Sequence, residues 1–213
     1  MSIQGVTRRA IYRATMVLAA LALVACAGGP ARQDHFYPLA PRVQVEPTGT
    51  PVAATLLVTQ PVARGLTGGR ELVFVGADRP GEVQTYVYHL WADPPAAAIA
   101  SSLVAALRQA GPFAFVTAPG QRARADYLLS GELTQLTHFP DAQPPRVEAS
   151  LSLTLVNADR RPVASNLYQG SEPAGPDPAA AAAAFDRLLG RLLAEAVRDL
   201  QATRGRLRPS AAP

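Results

Sequence analysis

The side chain best placed for chemistry is the thiol of Cys26, the single cysteine in the 213-residue chain. An apolar run, Ala14–Ala25, ends directly before it, and Arg8, Arg9 and Arg13 lie upstream without any acidic residue. A basic start, a short apolar run and small residues form the pattern of a secretory signal peptide, and the run is too short to span a bilayer. The flanks therefore predict a thiol that is processed at the membrane rather than a buried structural cysteine. A plain cleaved signal is the alternative.

The other residue types that carry out chemistry show no spacing that brings them together. His35, His89 and His138 lie far apart in the sequence, so they do not predict a shared metal site. Asp126 and Glu132 are expected on the solvent side of one strand, away from the kind of cleft that acid–base catalysis needs. The chain contains no nucleophile elbow, phosphate-binding loop or dinucleotide-binding glycine pattern. We therefore expect no enzyme activity, no metal and no cofactor.

The charge of the chain does not indicate a nucleic-acid partner. The formal net charge is +4 and the isoelectric point is about 9.7, but loss of the three arginines of the signal peptide takes +4 to about +1. The remaining arginines are interspersed with acidic residues instead of forming one basic stripe. With its single cysteine, Cys26, processed at the membrane, the domain has no thiol left for a disulfide, so the fold must depend on its apolar core.

Residues 26–50, which are rich in proline and glycine and have no periodicity, predict a tether. One segment within them, Phe36-Tyr37-Pro38-Leu39, is apolar. It is either a clip that docks on the edge of the domain or a short peptide that inserts into a partner. Phe36 and Tyr37 are therefore candidate partner contacts.

From residue 51 the pattern becomes regular. Short apolar runs separated by glycine turns predict three strands, the last over Glu82–Trp91, and then a helix that begins at Asp93-Pro94 and ends at Gly111. About four more strands follow, the clearest of which alternates apolar and polar residues over 147–155. A final helix begins at Asp177-Pro178 and has the strongest amphipathic stripe. The stripe consists of Phe185, Leu188, Leu189, Leu192, Leu193, Ala196, Val197 and Leu200.

This element order predicts a two-layer α/β (α+β) domain. We expect a largely antiparallel sheet of about six to seven strands with both amphipathic helices on one face. The expected organisation is a signal peptide over residues 1–25, a lipidated cysteine and tether over 26–50, one domain over 51–204 and a disordered tail over 205–213. Gly190, inside the final helix, marks a position where that helix is expected to approach the sheet closely.

Two resemblances support and extend this interpretation. Leu23-Val24-Ala25-Cys26 resembles the lipobox of bacterial lipoproteins, in which the cysteine takes a diacylglycerol, the chain is cut before it and the new amino terminus is acylated. Farther along, "FYPL", "RGLTGGRELVFV", "VQTYVYHLWADPP" and "ADYLLSGELTQL" are similar to segments of the ABC-type transport auxiliary lipoproteins, the paraquat-inducible protein C group. The alanine-rich "PDPAAAAAAF" before the last helix departs from that pattern.

The second resemblance implies a non-catalytic periplasmic lipoprotein that assists lipid transport and docks with a periplasmic subunit carrying mammalian-cell-entry domains. It also implies a membrane partner through the lipid anchor, with the outer membrane favoured because Ala27 follows Cys26. The sequence does not determine whether the protein forms a homo-oligomer. Two other functions remain: direct lipid binding in an apolar cavity, and a role in outer-membrane assembly outside any ABC system.

An aromatic cluster on the third strand is the candidate contact for a protein partner. Trp91, with Tyr86 and Tyr88, could anchor an interface, because aromatic residues often dominate binding energy. The alternative is that Trp91 packs against the opening turn of the first helix. Tyr86 and Tyr88 share one strand face, and the sequence does not determine whether that face is covered.

Overall fold

The computed structural model describes residues 32–47, 49–121 and 124–208. The predicted signal peptide and Cys26 lie outside these residues. The elements of the compact unit that begins at Asp34 are, in chain order, β1 (His35–Tyr37), β2 (Val52–Val58), β3 (Val62–Ala63), a 3₁₀ turn (Gly65–Gly68), β4 (Glu71–Phe74), β5 (Gln84–Trp91), α1 (Pro95–Ala110), β6 (Phe113–Thr117), β7 (Tyr127–Phe139), β8 (Arg146–Asn157), β9 (Pro162–Pro173), α2 (Pro178–Ala202) and a 3₁₀ turn (Thr203–Arg206).

The long strand β7 organises the sheet. Along one edge it pairs with β8, and β8 pairs with β9, in antiparallel ladders of twelve and eleven residue pairs. Along its other edge β7 pairs in parallel with β2, β3 and β4 in turn, through two or three residue pairs each. The sheet therefore branches there: β6 extends the β2 branch, while β5 and then β1 extend the β4 branch.

This architecture confirms the predicted α+β class, with a mixed sheet and two helices. The longest ladders are antiparallel, as expected, and the short strands β1 and β3 add to the seven predicted strands. The parallel pairing of three strands with β7 was not predicted, since parallel partners lie far apart in sequence and leave no local turn signal. No helix in the described part of the chain is both long and apolar enough to cross a membrane.

The core lies between the sheet and the two helices. The apolar residues that alternate along β8 over 147–155 are buried, and all eight members of the predicted α2 stripe are buried as well. α2 packs on β8 and β9, and α1 packs on α2, β6 and β2. The Asp177 side chain caps α2 by accepting the Ala180 N–H at 2.9 Å, as its position predicts. α1 begins one residue later than predicted, because Pro94 occupies the N-cap position and the Asp93 side chain makes no cap hydrogen bond.

The second half of the predicted tether lies on the domain, as the clip interpretation of Phe36–Leu39 expects. Residues 35–46, here called the strap, are packed on the domain: Leu39 and Val45 are buried, and the Ala40 N–H donates to Asp186 Oδ1 at 2.8 Å. The prolines do not prevent this, because an extended segment outside a ladder has no hydrogen bond to lose. The close approach at Gly190 differs from the prediction. A Cβ there would lie 2.7 Å from the backbone oxygen of Arg42 in the strap, not against the sheet.

The predicted tail from residue 205 also begins too early. The 3₁₀ turn Thr203–Arg206 continues from α2, Leu207 is buried, and the Arg208 N–H donates to the Tyr127 hydroxyl at 2.7 Å. The buried Leu207 side chain and the hydrogen bond to Tyr127 together hold this segment on the domain. Residues 209–213 lie outside the described residues.

Candidate partner-contact site

The two aromatic segments singled out in the sequence meet at one end of the sheet. β1 pairs in parallel with β5, so that His35 lies beside His89, Phe36 beside Leu90 and Tyr37 beside Trp91. In the described part of the chain β1 is the last strand of this branch. We call these two strands, residues 35–37 and 84–91, the β1–β5 edge. It contains all five predicted partner contacts: Phe36, Tyr37, Tyr86, Tyr88 and Trp91.

The inward side of the β1–β5 edge belongs to the core. Trp91 is only 2% exposed, and its ring meets that of Phe185 edge-on, with centroids 5.7 Å apart. This burial favours packing over partner contact for Trp91, and the ring contact with Phe185 shows that part of this packing is against α2. Tyr86 is half-buried and stacks on Phe74 at 4.2 Å. Tyr37 is partly buried against the core.

The β1–β5 edge also carries two well-exposed apolar side chains. Val87 is 73% exposed and Phe36 is 55% exposed, and Tyr88 is half-buried. The guanidinium of Arg70 lies over the Phe36 ring at 5.4 Å, a cation–π contact, and its nitrogens donate to the backbone oxygens of Trp91 and Ala92 at 3.0 and 2.8 Å. Phe36 is therefore held in place on a surface that can contact another protein.

Histidines that the sequence left unconnected also meet near this edge. His35 stacks on His89 with ring centroids 5.0 Å apart, and the hydroxyl of Tyr37 hydrogen-bonds His89 Nδ1 at 2.8 Å. Among the described residues no group of three or more histidine, cysteine or acidic side chains could hold a metal ion. The histidines thus secure β1 to β5. Their association depends on the parallel pairing, so alternation within β5 could not reveal it.

His138 is fully buried and is held in its neutral form. Its Nε2 donates to the backbone oxygen of Gly175 at 3.0 Å, and its Nδ1 accepts from the Tyr86 hydroxyl at 2.9 Å. Burial, with smaller effects of Asp141 and Asp177, raises the pKa of Tyr86 to about 12, so this hydroxyl keeps its proton. Burial also lowers the pKa of the His138 imidazole below its ordinary value of 6.5.

The protonation of His138 should therefore make stability depend on pH. Because its pKa is lower in the folded than in the unfolded protein, the unfolded state takes up the proton first, and stability is lost as pH falls below about 6.5. We expect the free energy of unfolding to decline more steeply between pH 7.5 and 5.5 in the parent than in His138→Gln, whose amide does not titrate. Urea unfolding at both pH values measures this difference. Equal declines in the two proteins would contradict the assignment.

The two carboxylates considered as an acid–base pair have separate structural roles. Asp126 accepts the Thr55 N–H at 2.8 Å through Oδ2, which joins β2 to the start of β7. Glu132 forms an ion pair with Arg64 on the surface. Neither contact places the two carboxylates in a common cleft. Cys26, the predicted lipidation site, lies outside the described residues.

The space between helix and sheet is too small for a lipid where leucines line it. Leu129, Leu153 and Leu155 surround a space of about 10 Å³ beside the end of α2, scarcely enough for one water molecule. A lipid-binding site needs a cavity of several hundred cubic ångströms. This part of the interior therefore serves as a packed core.

Comparisons with known proteins agree with this architecture. The family model for the ABC-type transport auxiliary lipoprotein component matches residues 37–197. A crystal structure of a Xanthomonas campestris protein from the family-model DUF330 superposes with a TM-score of 0.71 and 27% identity, over 81% of this chain and 97% of that protein. An uncharacterised protein of known structure shares the fold, with a TM-score of 0.59 and 16% identity over 80% of this chain and 98% of its own.

A curated relative from Bradyrhizobium diazoefficiens, itself uncharacterised, is 28% identical over 186 residues. The match covers 85% of this chain and 48% of that relative. The chain therefore spans about half the length of the curated relative that it matches.

Proposed function

The chain belongs to the family of ABC-type transport auxiliary lipoprotein components, and we propose that it is a non-catalytic periplasmic accessory of an envelope lipid transport system. It docks with the subunit of that system that carries mammalian-cell-entry domains. The observation that carries the docking proposal is that Phe36 and Val87 are both exposed on the β1–β5 edge, at the end of the sheet. Exposed apolar side chains on a strand at the edge of a sheet are typical of surfaces that bind another protein.

Attachment through Cys26 would keep this edge close to the membrane. Since the strap is packed on the domain from His35 onward, only the residues between Cys26 and His35 separate the anchor from the edge. Even fully extended, this segment spans at most about 32 Å. A partner that binds the β1–β5 edge must therefore reach to within a few tens of ångströms of the bilayer.

The docking is tested by a charge placed on the edge. We expect Val87→Glu to abolish co-purification of the transport subunits with the tagged protein from detergent-solubilised membranes, because it puts a carboxylate into an apolar contact. Leu167→Glu is the matched control, since Leu167 is also exposed, at 58%, but lies on β9. Both substitutions are at exposed positions and should change the free energy of unfolding by less than about 0.5 kcal/mol. Equal recovery of the subunits with both variants would refute docking at this edge.

The membrane attachment is tested at Cys26. We expect Cys26→Ala to move the protein from the outer-membrane fraction to the soluble periplasmic fraction, because acylation by two or more chains is what gives stable anchoring. Envelope fractionation of parent and variant measures this change. A variant that still sediments with the outer membrane would show that the lipid is not the anchor, and a parent found only in the inner membrane would contradict the assignment to the outer membrane.

A further inference from the structure

An open groove of about 900 Å³ runs along α2 beside the strap. One wall is formed by strap residues 40–44 and the other by the α2 face from Asp186 to Arg198, with the small residues Gly190 and Ala194 between them. The groove exists because Gly190 lets the strap backbone come close to the helix. The stretch of α2 from Arg187 to Arg198 is about 16 Å long, at 1.5 Å per residue.

Four arginines and three carboxylates, Glu172, Asp186 and Glu195, line this groove and give it a formal net charge of +1. The arginines are Arg42, Arg187, Arg191 and Arg198. Arg187 and Arg191 share a single acidic partner, Glu172, at 3.1 and 2.9 Å. One carboxylate therefore forms ion pairs with two guanidinium groups.

The other two arginines of the groove, Arg42 and Arg198, differ from this pair because neither has an ion-pair partner among the described residues. No carboxylate of the described residues lies within ion-pair distance of Arg42 or Arg198, and both side chains belong to exposed residues. Asp186 interacts electrostatically with Arg187 and Arg42, while its Oδ1 is turned toward the strap and accepts the Ala40 N–H. Burial also raises its pKa. Glu195 is the remaining acidic residue of the groove, and it faces solvent.

We propose that this groove binds an extended acidic segment of a partner protein. The arginines are distributed over about 16 Å, which matches roughly five residues of extended chain at 3.3 Å each. A single phosphate would be contacted at only one point of that length. A lipid would also need a long apolar surface for its acyl chains, and the groove offers only Ala40, Gly190 and Ala194 as its apolar lining. Guanidinium groups are well suited to binding carboxylates, through paired N–H donors.

This inference deepens the proposed function. The identification of the partner as a transport subunit rests on the proposed function. The preference of the groove for an acidic chain rests only on the residues that line it. The two can therefore fail separately. Peptide binding is measured on the isolated protein without any transport component, while co-purification with Val87→Glu tests the docking at the β1–β5 edge.

The test uses the full-length protein in detergent and a fluorescently labelled decaglutamate peptide, with decaglutamine as the uncharged comparison. Fluorescence anisotropy gives the affinity of the parent, of Arg42→Gln/Arg198→Gln, and of the matched control Arg79→Gln/Arg161→Gln. The control removes two charges from exposed turns away from the groove. We expect the groove variant to bind decaglutamate about tenfold more weakly than the parent, since two exposed charge pairs are lost, and the control to bind like the parent. Raising the salt concentration should weaken binding by the parent.

Three outcomes would overturn the proposal. The first is a parent that shows no preference for decaglutamate over decaglutamine. The second is a control variant that loses as much affinity for decaglutamate as the groove variant does. The third is complete displacement of the peptide by glycerol 3-phosphate at an equal concentration of negative charge. The last outcome would identify an isolated phosphate, such as that of a lipid headgroup, as the sufficient ligand.

Discussion

Replacement of Leu189 by alanine is expected to lower the free energy of unfolding by about 2–5 kcal/mol, the range for a buried leucine whose removal leaves a cavity. Leu189 is fully buried on the stripe of α2 that packs against β8 and β9, so there is little room for the surroundings to collapse. Urea unfolding of the parent and the variant at neutral pH measures the change.

Glu195→Ala is the matched control for this substitution, because it lies on the same helix and its residue is exposed. It should change stability by less than about 0.5 kcal/mol. A loss of that small size for Leu189→Ala would mean that the stripe does not form the core, and would remove the basis for the packing of α2 on the sheet.

The second large effect is expected at Gly131, in the middle of β7. A Cβ at this position would overlap the backbone oxygen of Ser152 and lie 2.7 Å from Cδ2 of Leu153. Both atoms belong to the neighbouring strand β8, whose backbone is held by its ladders to β7 and β9. We therefore expect Gly131→Ala to cost about 3 kcal/mol, the upper end of the usual range for overpacking.

The control for Gly131→Ala is Ser130→Ala at the adjacent position, which removes an atom instead of adding one. Thermal or urea unfolding of both variants is sufficient, and Ser130→Ala should stay within about 0.5 kcal/mol of the parent. If Gly131→Ala is as stable as the parent, the close approach of β8 at this point is not real. Gly131 lies within the segment "ADYLLSGELTQL" that resembles the transport auxiliary lipoproteins, and this packing gives a physical reason for glycine there.

What the sequence predicts well is local. The α2 stripe and the alternation along β8 repeat with the period of their element, so the buried face can be read directly from the residues. The Asp177 cap and the Gly111 stop, where Gly111 has a φ of 65°, have equally local signatures. These features were predicted residue by residue.

What the sequence could not predict depends on pairing between distant segments. Tyr37 lies beside Trp91 because β1 adds in parallel to β5, and no turn links such strands. The strap was included in a predicted tether because residues 26–50 as a whole are rich in proline and glycine and have no periodicity. Only the apolar segment Phe36–Leu39 indicated that the chain could dock on the domain, and Val45, the other core residue of the strap, had no local pattern around it. The β1–β5 edge and the arginine groove are both built on the strap, so neither could be assembled from the sequence alone.

The most direct test of the docking surface is site-specific photo-crosslinking in living cells. A photoreactive amino acid placed at Val87, on the β1–β5 edge, should crosslink to the subunit that carries mammalian-cell-entry domains, while the same amino acid at Leu167 on β9 should give no such product. Both positions are exposed, so accessibility cannot explain a difference. A crosslink to that subunit from position 87 alone is the result that the proposed function predicts. Crosslinking from position 167 but not from position 87, or from neither, would contradict it.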